Sequence, residues 1–340
     1  PDEASFAGGV FVVVAGADDA ELTAEDLLKR ADMAMYSAKR SRTGSVHTFN
    51  AAMLSAAVDR SPFGRPVPAA GGVEAIRLLG ELRQALERRE LVLVYQPKFD
   101  LRTSAIVGVE ALIRWPHPGR GLLMPDLFLP LVRRYGLMGR VNEFVVNRAL
   151  ADALQWRAAS VHLPVAVNIF APSMADIELP AMIAAALDDW QMEPADLTVE
   201  ITEDLFLDNM QAAKTGLEHL RGLGIQTSID DFGSGYSALA YMRELAVDEV
   251  KLDRQFIAPI LTDARADIVV RAVLNLADEL GFVTVAEGIE NAETADWLRE
   301  HGCHVGQGYY FSRPLPPADL LAFVARHRES RTEIGSSHPR

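Results

Sequence analysis

Short apolar runs alternate with longer amphipathic segments from residue 73 onward. The short runs predict strands at 91–96, 106–112, 164–169, 197–202, 225–230, 248–252, 282–287 and 303–307. The longer segments repeat apolar residues at helical spacing, which predicts helices at 73–88, 126–138, 142–157, 174–190, 209–223, 236–243, 264–281, 291–301 and 317–327. Eight strands that alternate with helices predict an α/β fold with a mostly parallel sheet closed into a (β/α)₈ barrel.

The first two predicted strands are joined by a short loop at 97–105, which has no room for a crossover helix. A parallel pair of strands needs a connection of about a dozen residues or more. We therefore expect these two strands to be antiparallel to each other.

The segment before the barrel has a different pattern. It predicts a strand at 9–14, an amphipathic helix at 23–42 and a further strand at 46–49, which together are too little for an independent domain. The Pro- and Gly-rich stretch 61–72 is typical of a linker. The chain begins without Met, so we expect a fragment of a longer protein. The polar tail 329–340 is predicted to be disordered.

Composition narrows the function classes. The formal net charge of −14 argues against a broad DNA- or RNA-binding surface, so an anionic ligand would need metal ions or a few well-placed cations. No apolar stretch is long enough to span a membrane, although an anchor in missing upstream segments stays compatible with the sequence. The single cysteine, Cys303, favours a reducing cytoplasm and is best interpreted as a buried apolar residue.

Polar side chains follow the apolar runs at the point where each predicted strand ends. Barrels of this kind place their chemistry at the carboxyl ends of the strands, so these side chains are expected to surround one site. They are Gln96, Glu110, Asn168, Glu200, Asp230, Asp231, Lys251, Glu287 and Gln307.

Four of these residues form an oxygen-only set of potential ligands, namely Glu110, Asn168, Glu200 and Asp230. Such sets suit Mg²⁺ or Mn²⁺ and not zinc, which prefers His and Cys. Asp231 could bridge to a second ion, and two ions about 4 Å apart form the usual clamp for phosphodiester hydrolysis. A single carboxylate at a strand end more often caps a helix or pairs with a surface Lys, but clustered like charges need a cation to offset their repulsion.

Three charged residues could act beside these ligands. Lys251 could stabilise a charged transition state, or it could only pair with a neighbouring carboxylate. Arg114 could bind a phosphate oxygen through its planar guanidinium group. Glu287 is a candidate general base, and a structural ion pair is its alternative.

Neutral and loop residues complete the set of candidates. Gln96 and Gln307 could hydrogen-bond a guanine edge, a phosphate or water, or could serve only the structure. The segment 232–237 contains two glycines and suits a mobile loop at the rim, which Glu203 could hold by a hydrogen bond.

These residues lie in strings that resemble the EAL family of cyclic di-GMP phosphodiesterases over about residues 74–328. The motif that names the family is present as Glu110-Ala111-Leu112, and the strings LTVEITE, SIDDFGSGYSAL, VDEVKLDRQFI, VAEGIE and GQGYYFSRPL are also similar to it. The resemblance implies a modified (β/α)₈ TIM barrel with one antiparallel strand. It also implies hydrolysis of cyclic di-GMP to linear pGpG with Mg²⁺ or Mn²⁺, and a homodimer formed through the EAL domain.

The resemblance also implies roles for individual residues. Ligands of a first metal would be Glu110, Asn168, Glu200 and Asp230, with Asp231 joining Asp230 at a second. Lys251 resembles the lysine beside the attacking water, Glu287 a further essential glutamate, and Glu203 the residue that orders the rim loop. Gln96, Arg114 and Gln307 match substrate-side positions.

The segment before the barrel resembles a second family. The barrel itself departs from the EAL pattern at two places. Residues 1–50 resemble the end of an α+β GGDEF diguanylate cyclase domain through LLKRADMAMYSAKRSRTGSVHTF, without its nucleotide-binding half. The linker is then 51–73. Val132-Arg133-Arg134 stands where the family often has an acidic pair, and Ile169-Phe170-Ala171 replaces a Leu-Ser-Ala type of segment.

Two alternatives to an active enzyme of this kind stay open. One is a barrel that binds cyclic di-GMP as a receptor without turnover, and the other is a hydrolase of a different phosphodiester. Receptors of this type tend to lose metal carboxylates or the rim-loop motif, and both are present in this sequence.

Overall fold

The computed structural model describes residues 73–203, 210–232 and 247–336. The elements predicted within 1–50, the linker and the helix predicted at 236–243 lie outside these residues, as does most of the rim loop. Within the described part, 73–82 and 126–131 belong to one compact unit, and 83–125 and 132–336 belong to a second. The barrel lies in the second unit.

The strands form a closed barrel with one reversed member. They are β1 Val92–Asp100, β2 Ile106–His117, β3 Gly121–Leu123, β4 Val165–Asn168, β5 Leu197–Thr202, β6 Gln226–Phe232, β7 Glu249–Leu252, β8 Val283–Ala286 and β9 Val305–Gly306. The sheet runs β1-β9-β8-β7-β6-β5-β4-β2, and pairing of β1 with β2 closes it. β1 is antiparallel to both of its neighbours, which confirms the antiparallel first pair expected from the short loop. β3 was not predicted, and it extends the sheet by pairing with the end of β2.

The described helices follow the predicted alternation, apart from a short helix at 254–257 that the pattern did not predict. They are α1 Val73–Glu87, α2 Pro125–Arg134, α3 Met138–Ala158, α4 Leu179–Asp189, α5 Met210–Gly222, α6 Arg254–Ile257, α7 Ala264–Leu280, α8 Ala292–Glu300 and α9 Pro317–Ser336. The helix predicted at 126–138 ends earlier, because Gly136 has the left-handed backbone (φ 67°) that commonly terminates a helix. None of the described helices combines the length and apolar character that crossing a membrane requires.

The last helix corrects a second expectation. It continues to Ser336, so the disordered tail predicted at 329–340 is wrong for residues 329–336. The segment between Ala318 and Ile334 contains neither Gly nor Pro, and its Arg and Glu residues have good helix propensity. The polar composition on which the prediction relied is compatible with a helix.

Strand register decides which side chains share the inside of the barrel. Side chains alternate between the two faces of a strand, so Glu110 and Gln96, which are paired across β2 and β1, have the same face. Glu200 pairs with Ser228, and Ser228 pairs with Glu249. Barrel interiors are usually filled by branched apolar side chains, so the polar residues at these positions indicate a site.

Candidate metal site

Three carboxylates from different strands meet inside the barrel. One ligand oxygen of each of Glu110, Glu200 and Asp230 lies within 4.8 Å of the others. Glu110 and Glu200 are buried, and Asp230 is partly buried. This donor set consists of oxygen only, which suits a hard divalent cation. The structure thus brings these three side chains together, and their role as metal ligands stays a prediction.

Asn168 lies beside two of these carboxylates at the end of β4. Its Nδ2 donates to Glu110 Oε1 at 2.8 Å and to Glu200 Oε2 at 3.4 Å. The sequence predicts that Asn168 supplies an amide oxygen to a metal, whereas here the amide nitrogen faces the carboxylates. A half-turn of the amide exchanges its oxygen and nitrogen, so the residue can serve either as donor or as ligand at this position.

Lys251 lies at the centre of the acidic cluster. Its side chain is 0% exposed. Its Nζ lies 2.7 Å from Glu287 Oε1, 2.8 Å from Glu200 Oε2, 3.1 Å from Asp230 Oδ1 and 3.6 Å from Glu110 Oε1. The ion-pair alternative for Lys251 therefore holds, and the lysine also lies within the cluster of candidate ligands. The contact between Lys251 and Glu287 shows that Glu287 also lies at this site and forms an ion pair there.

Burial and charge act in opposite directions on these carboxylates. Burial favours a raised pKa for Glu200, but the ammonium groups of Lys251 and Lys98 lower it to about 2. The pKa of Glu287 is raised well above its usual value by burial and by the charges of Asp230 and Glu110, against the opposing effect of Lys251. Burial likewise raises the pKa of Glu110. The raised pKa values of Glu287 and Glu110 mean that the lysines only partly offset the burial and mutual repulsion of these carboxylates, and a bound divalent cation would offset them further.

Lys98 also contacts the acidic cluster, and the sequence pattern did not predict this residue as part of the site. It lies on β1 and is only 5% exposed, and its Nζ donates to Glu200 Oε1 at 2.7 Å and to Glu249 Oε1 at 3.0 Å. Burial tends to lower the pKa of Lys98, but the charges of Glu200 and Glu249 raise it overall. Lys98 is two residues after Gln96, so it shares the face of β1 on which Gln96 lies, and this spacing could have indicated a charged residue inside the barrel.

Two glutamines connect Glu110 by hydrogen bonds to the segment that follows β9. Gln307 Nε2 donates to Glu110 Oε2 at 2.7 Å and to Gln96 Oε1 at 2.9 Å. Gln96 Nε2 in turn donates to the backbone oxygen of Ser312 at 3.0 Å. Gln307 Oε1 is buried and accepts no hydrogen bond within the described part of the protein. The structure therefore brings both glutamines to the site, where one amide oxygen stays available to a donor.

The remaining predicted residues lie close to these in the chain. Arg114 is buried on β2, and its Nη1 donates to the backbone oxygen of Ile113 at 2.8 Å. The Asp231 backbone N–H donates to Asp230 Oδ1 at 2.9 Å, and Asp231 has a positive φ of 55° at an irregularity between β6 and β7. The Glu203 backbone N–H donates to the backbone oxygen of Asp230 at 3.1 Å. Their roles toward a substrate or the rim loop stay predictions.

The two departures from the family pattern meet in space. The guanidinium carbon of Arg133 lies 5.7 Å from the centre of the Phe170 ring, which is a cation–π arrangement. Phe170 lies two residues after Asn168 and is buried. The unusual residues at the end of α2 and after β4 therefore pack as a pair near the site.

A closed α/β barrel with an acidic cluster and a buried lysine among the ends of its strands has the architecture of a barrel enzyme with metal chemistry at its rim. The chain belongs to the EAL domain family, whose model matches residues 79–314. Phosphodiesterases of this family are metal-dependent, and the acidic cluster that such a dependence requires is present.

Two curated relatives from Pseudomonas aeruginosa are similar over most of the chain. The bifunctional diguanylate cyclase/cyclic di-GMP phosphodiesterase MucR is 37% identical over 304 residues, and the cyclic di-GMP phosphodiesterase NbdA is 36% identical over 305 residues. Each match covers 89% of this chain, which spans only 42% of the length of MucR and 37% of that of NbdA.

Two solved structures have the same fold. The structure described as "PaMucR Phosphodiesterase, c-di-GMP complex" has a TM-score of 0.69 and 39% identity, and the match covers 72% of this chain and 99% of that one. The EAL enzyme Bd1971, in a form bound to cAMP and cyclic di-GMP, has a TM-score of 0.70 and 30% identity, with coverage of 74% and 69%.

Proposed function

We propose that this barrel is a metal-dependent phosphodiesterase that hydrolyses cyclic di-GMP to linear pGpG. The observation that carries the proposal is the meeting of Glu110, Glu200 and Asp230 around buried Lys251. The similarity to MucR and NbdA, whose names state this activity, supports the substrate. The MucR and Bd1971 structures with bound cyclic di-GMP support it as well.

The residues that would hold the metal are Glu110, Asn168, Glu200 and Asp230, with Asp231 joining Asp230 at a second ion. The oxygen-only donor set favours Mg²⁺ or Mn²⁺, and we propose two ions per site. Such ions supply the polarisation of the phosphodiester and the acidification of water that this reaction needs.

Residues of the chain would accept the proton of the attacking water and stabilise the negative charge on the phosphoryl oxygens. The oxygen of a water molecule bonds to phosphorus while the bond from phosphorus to the 3′ oxygen breaks, which leaves a 5′-phosphate and a 3′-hydroxyl. Glu287 is the candidate to take a proton from the water, and Lys251, 2.7 Å from Glu287 Oε1, would stabilise the charge on the phosphoryl oxygens. The leaving 3′ oxygen would take a proton from solvent water, and Glu287 would return its proton to solvent.

We propose substrate contacts for three further side chains and a loop-ordering role for a fourth. Arg114 would pair with a phosphate oxygen of the dinucleotide. Gln96 and Gln307 would hydrogen-bond the substrate, and the unused Oε1 of Gln307 can accept from an N–H or a water. Glu203 would order the rim loop that follows Asp231.

The segment before the barrel has a proposed assignment of its own. We propose that residues 1–50 are the end of a GGDEF-like domain, since the match to the bifunctional relative MucR extends over 304 residues, beyond the 79–314 of the family model. A homodimer through the EAL domain and a cytoplasmic location stay predictions.

The test is product analysis with purified protein. Incubation with cyclic di-GMP and Mn²⁺, followed by chromatography, should yield pGpG. Binding of cyclic di-GMP without any product would favour the receptor alternative. Hydrolysis of other phosphodiesters in preference to cyclic di-GMP would favour the alternative of a hydrolase with a different substrate. A Glu110→Ala variant serves as the control for contaminating phosphodiesterases.

A further inference from the structure

A second layer of charged side chains lies beneath the candidate metal site. Gln96 is paired with Glu110 across β1 and β2, whereas Lys98 is paired with Gly108, two residues earlier on β2. Likewise, Ser228 precedes Asp230 by two residues on β6. Since alternate residues share a face, Lys98 and Ser228 point to the inside of the barrel, one level further from the carboxyl ends of the parallel strands.

This lower layer is connected by hydrogen bonds. Lys98 Nζ donates to Glu249 Oε1 at 3.0 Å, and Ser228 Oγ donates to the same oxygen at 3.0 Å. Glu249 precedes Lys251 by two residues on β7, and its side chain is 17% exposed. The ammonium group of Lys98 therefore lies between the carboxylates of Glu249 and Glu200, which are in one register row across β5, β6 and β7.

The two oxygens of Glu200 have different partners. Oε1 accepts from Lys98 at 2.7 Å, whereas Oε2 accepts from Lys251 at 2.8 Å and from Asn168 at 3.4 Å. Lys251 also contacts Asp230 and Glu110, and Asn168 also contacts Glu110, so Oε2 is the oxygen on the side of the other candidate ligands. Oε1 is occupied by Lys98.

We propose that Lys98 is a positioning residue that occupies Oε1 of Glu200 and leaves only Oε2 to bind a metal ion. Glu200 thereby becomes a one-oxygen ligand with a fixed carboxylate plane. This inference rests on the proposed function, because it takes Glu200 as a metal ligand. Side chains that hydrogen-bond a ligating carboxylate set its orientation, and their loss commonly lowers metal affinity or activity about 10- to 100-fold.

The test compares two variants that both remove the ion pair between Lys98 and Glu249. Glu249→Gln removes that ion pair but keeps the bond from Lys98 to Glu200, and its amide oxygen can still accept from Ser228. Lys98→Met combined with Glu249→Gln removes one positive and one negative charge, so the net charge stays that of the wild type while Glu200 Oε1 loses its partner. Replacement of a buried ion pair by less polar residues is often tolerated by a fold.

The readouts are the electron paramagnetic resonance spectrum of bound Mn²⁺ and the kcat for cyclic di-GMP at saturating Mn²⁺. In the double variant we expect an altered spectrum and a kcat lower by about 10- to 100-fold, because Glu200 can then use both oxygens. In Glu249→Gln we expect the spectrum and kcat of the wild type. A double variant that matches the wild type in both would overturn the proposal, as would equal changes in the two variants.

Thermal unfolding of the metal-free variants shows whether they fold. If the Met variant does not fold, Lys98→Leu with Glu249→Gln takes its place in the same comparison. Failure of the two proposals can be told apart. A wild type that binds Mn²⁺ without producing pGpG refutes the proposed activity, and the Mn²⁺ spectra still test Lys98. Normal hydrolysis with unchanged spectra in the double variant refutes the role of Lys98 alone.

Discussion

Replacement of Lys251 by Met should destabilise the metal-free protein, and Mn²⁺ should partly restore its stability. The ammonium group is fully buried and contacts four carboxylates at 2.7–3.6 Å. Met has a similar length but no charge, so the substitution leaves these carboxylates without their shared partner. Loss of one member of a buried ion pair costs about 3–5 kcal/mol, which corresponds to a fall of about 6–20 °C in the unfolding midpoint of a domain of this size.

The assay is thermal unfolding followed by circular dichroism, in EDTA and in Mn²⁺. A dication that replaces the missing charge stabilises the folded state by about 2.7 kcal/mol at a concentration 100 times its Kd. The increase in midpoint with Mn²⁺ should therefore be larger for the Lys251→Met variant than for the wild type. Arg265→Gln, which removes an exposed charge on α7, is the control and should melt like the wild type. Equal midpoints of Lys251→Met and wild type in EDTA would refute this reasoning.

Three further outcomes are expected. Glu110→Ala should lower turnover by orders of magnitude in a pGpG assay while nucleotide binding partly survives, since it removes a metal ligand; full activity would contradict the assignment. Ca²⁺ should inhibit the Mn²⁺-supported reaction, because its larger and looser coordination shell distorts a site built for smaller ions; equal rates with either ion would count against it. Gly308→Ala should destabilise the fold by about 1–3 kcal/mol in urea titrations, since its Cβ would lie 2.1 Å from the Ile289 backbone oxygen. A wild-type midpoint for that variant would contradict the packing.

Much of the barrel could be predicted because each strand end is marked in the sequence by a polar residue after an apolar run. Glu110, Glu200 and Asp230 each follow an apolar run, and parallel strands bring such positions to one end of the sheet. The short loop at 97–105 also sufficed to predict the reversed β1, since the limit on loop length is steric.

Other features depend on register between distant strands, which one sequence does not show. Lys98 is two residues beyond Gln96 on the reversed strand β1, and its contact with Glu200 on β5 depends on how these strands are placed in the barrel. The orientation of the Asn168 amide is set by carboxylates from β2 and β5. The contact between Arg133 and Phe170 joins two segments that are distant in the sequence, so the sequence alone does not pair them.

The most direct test of the central claim is the metal dependence of cyclic di-GMP hydrolysis by the purified protein. Product chromatography should show pGpG with Mn²⁺, no product in EDTA, and recovery when excess Mn²⁺ is restored. Tight binding of cyclic di-GMP without pGpG under all three conditions would contradict the account.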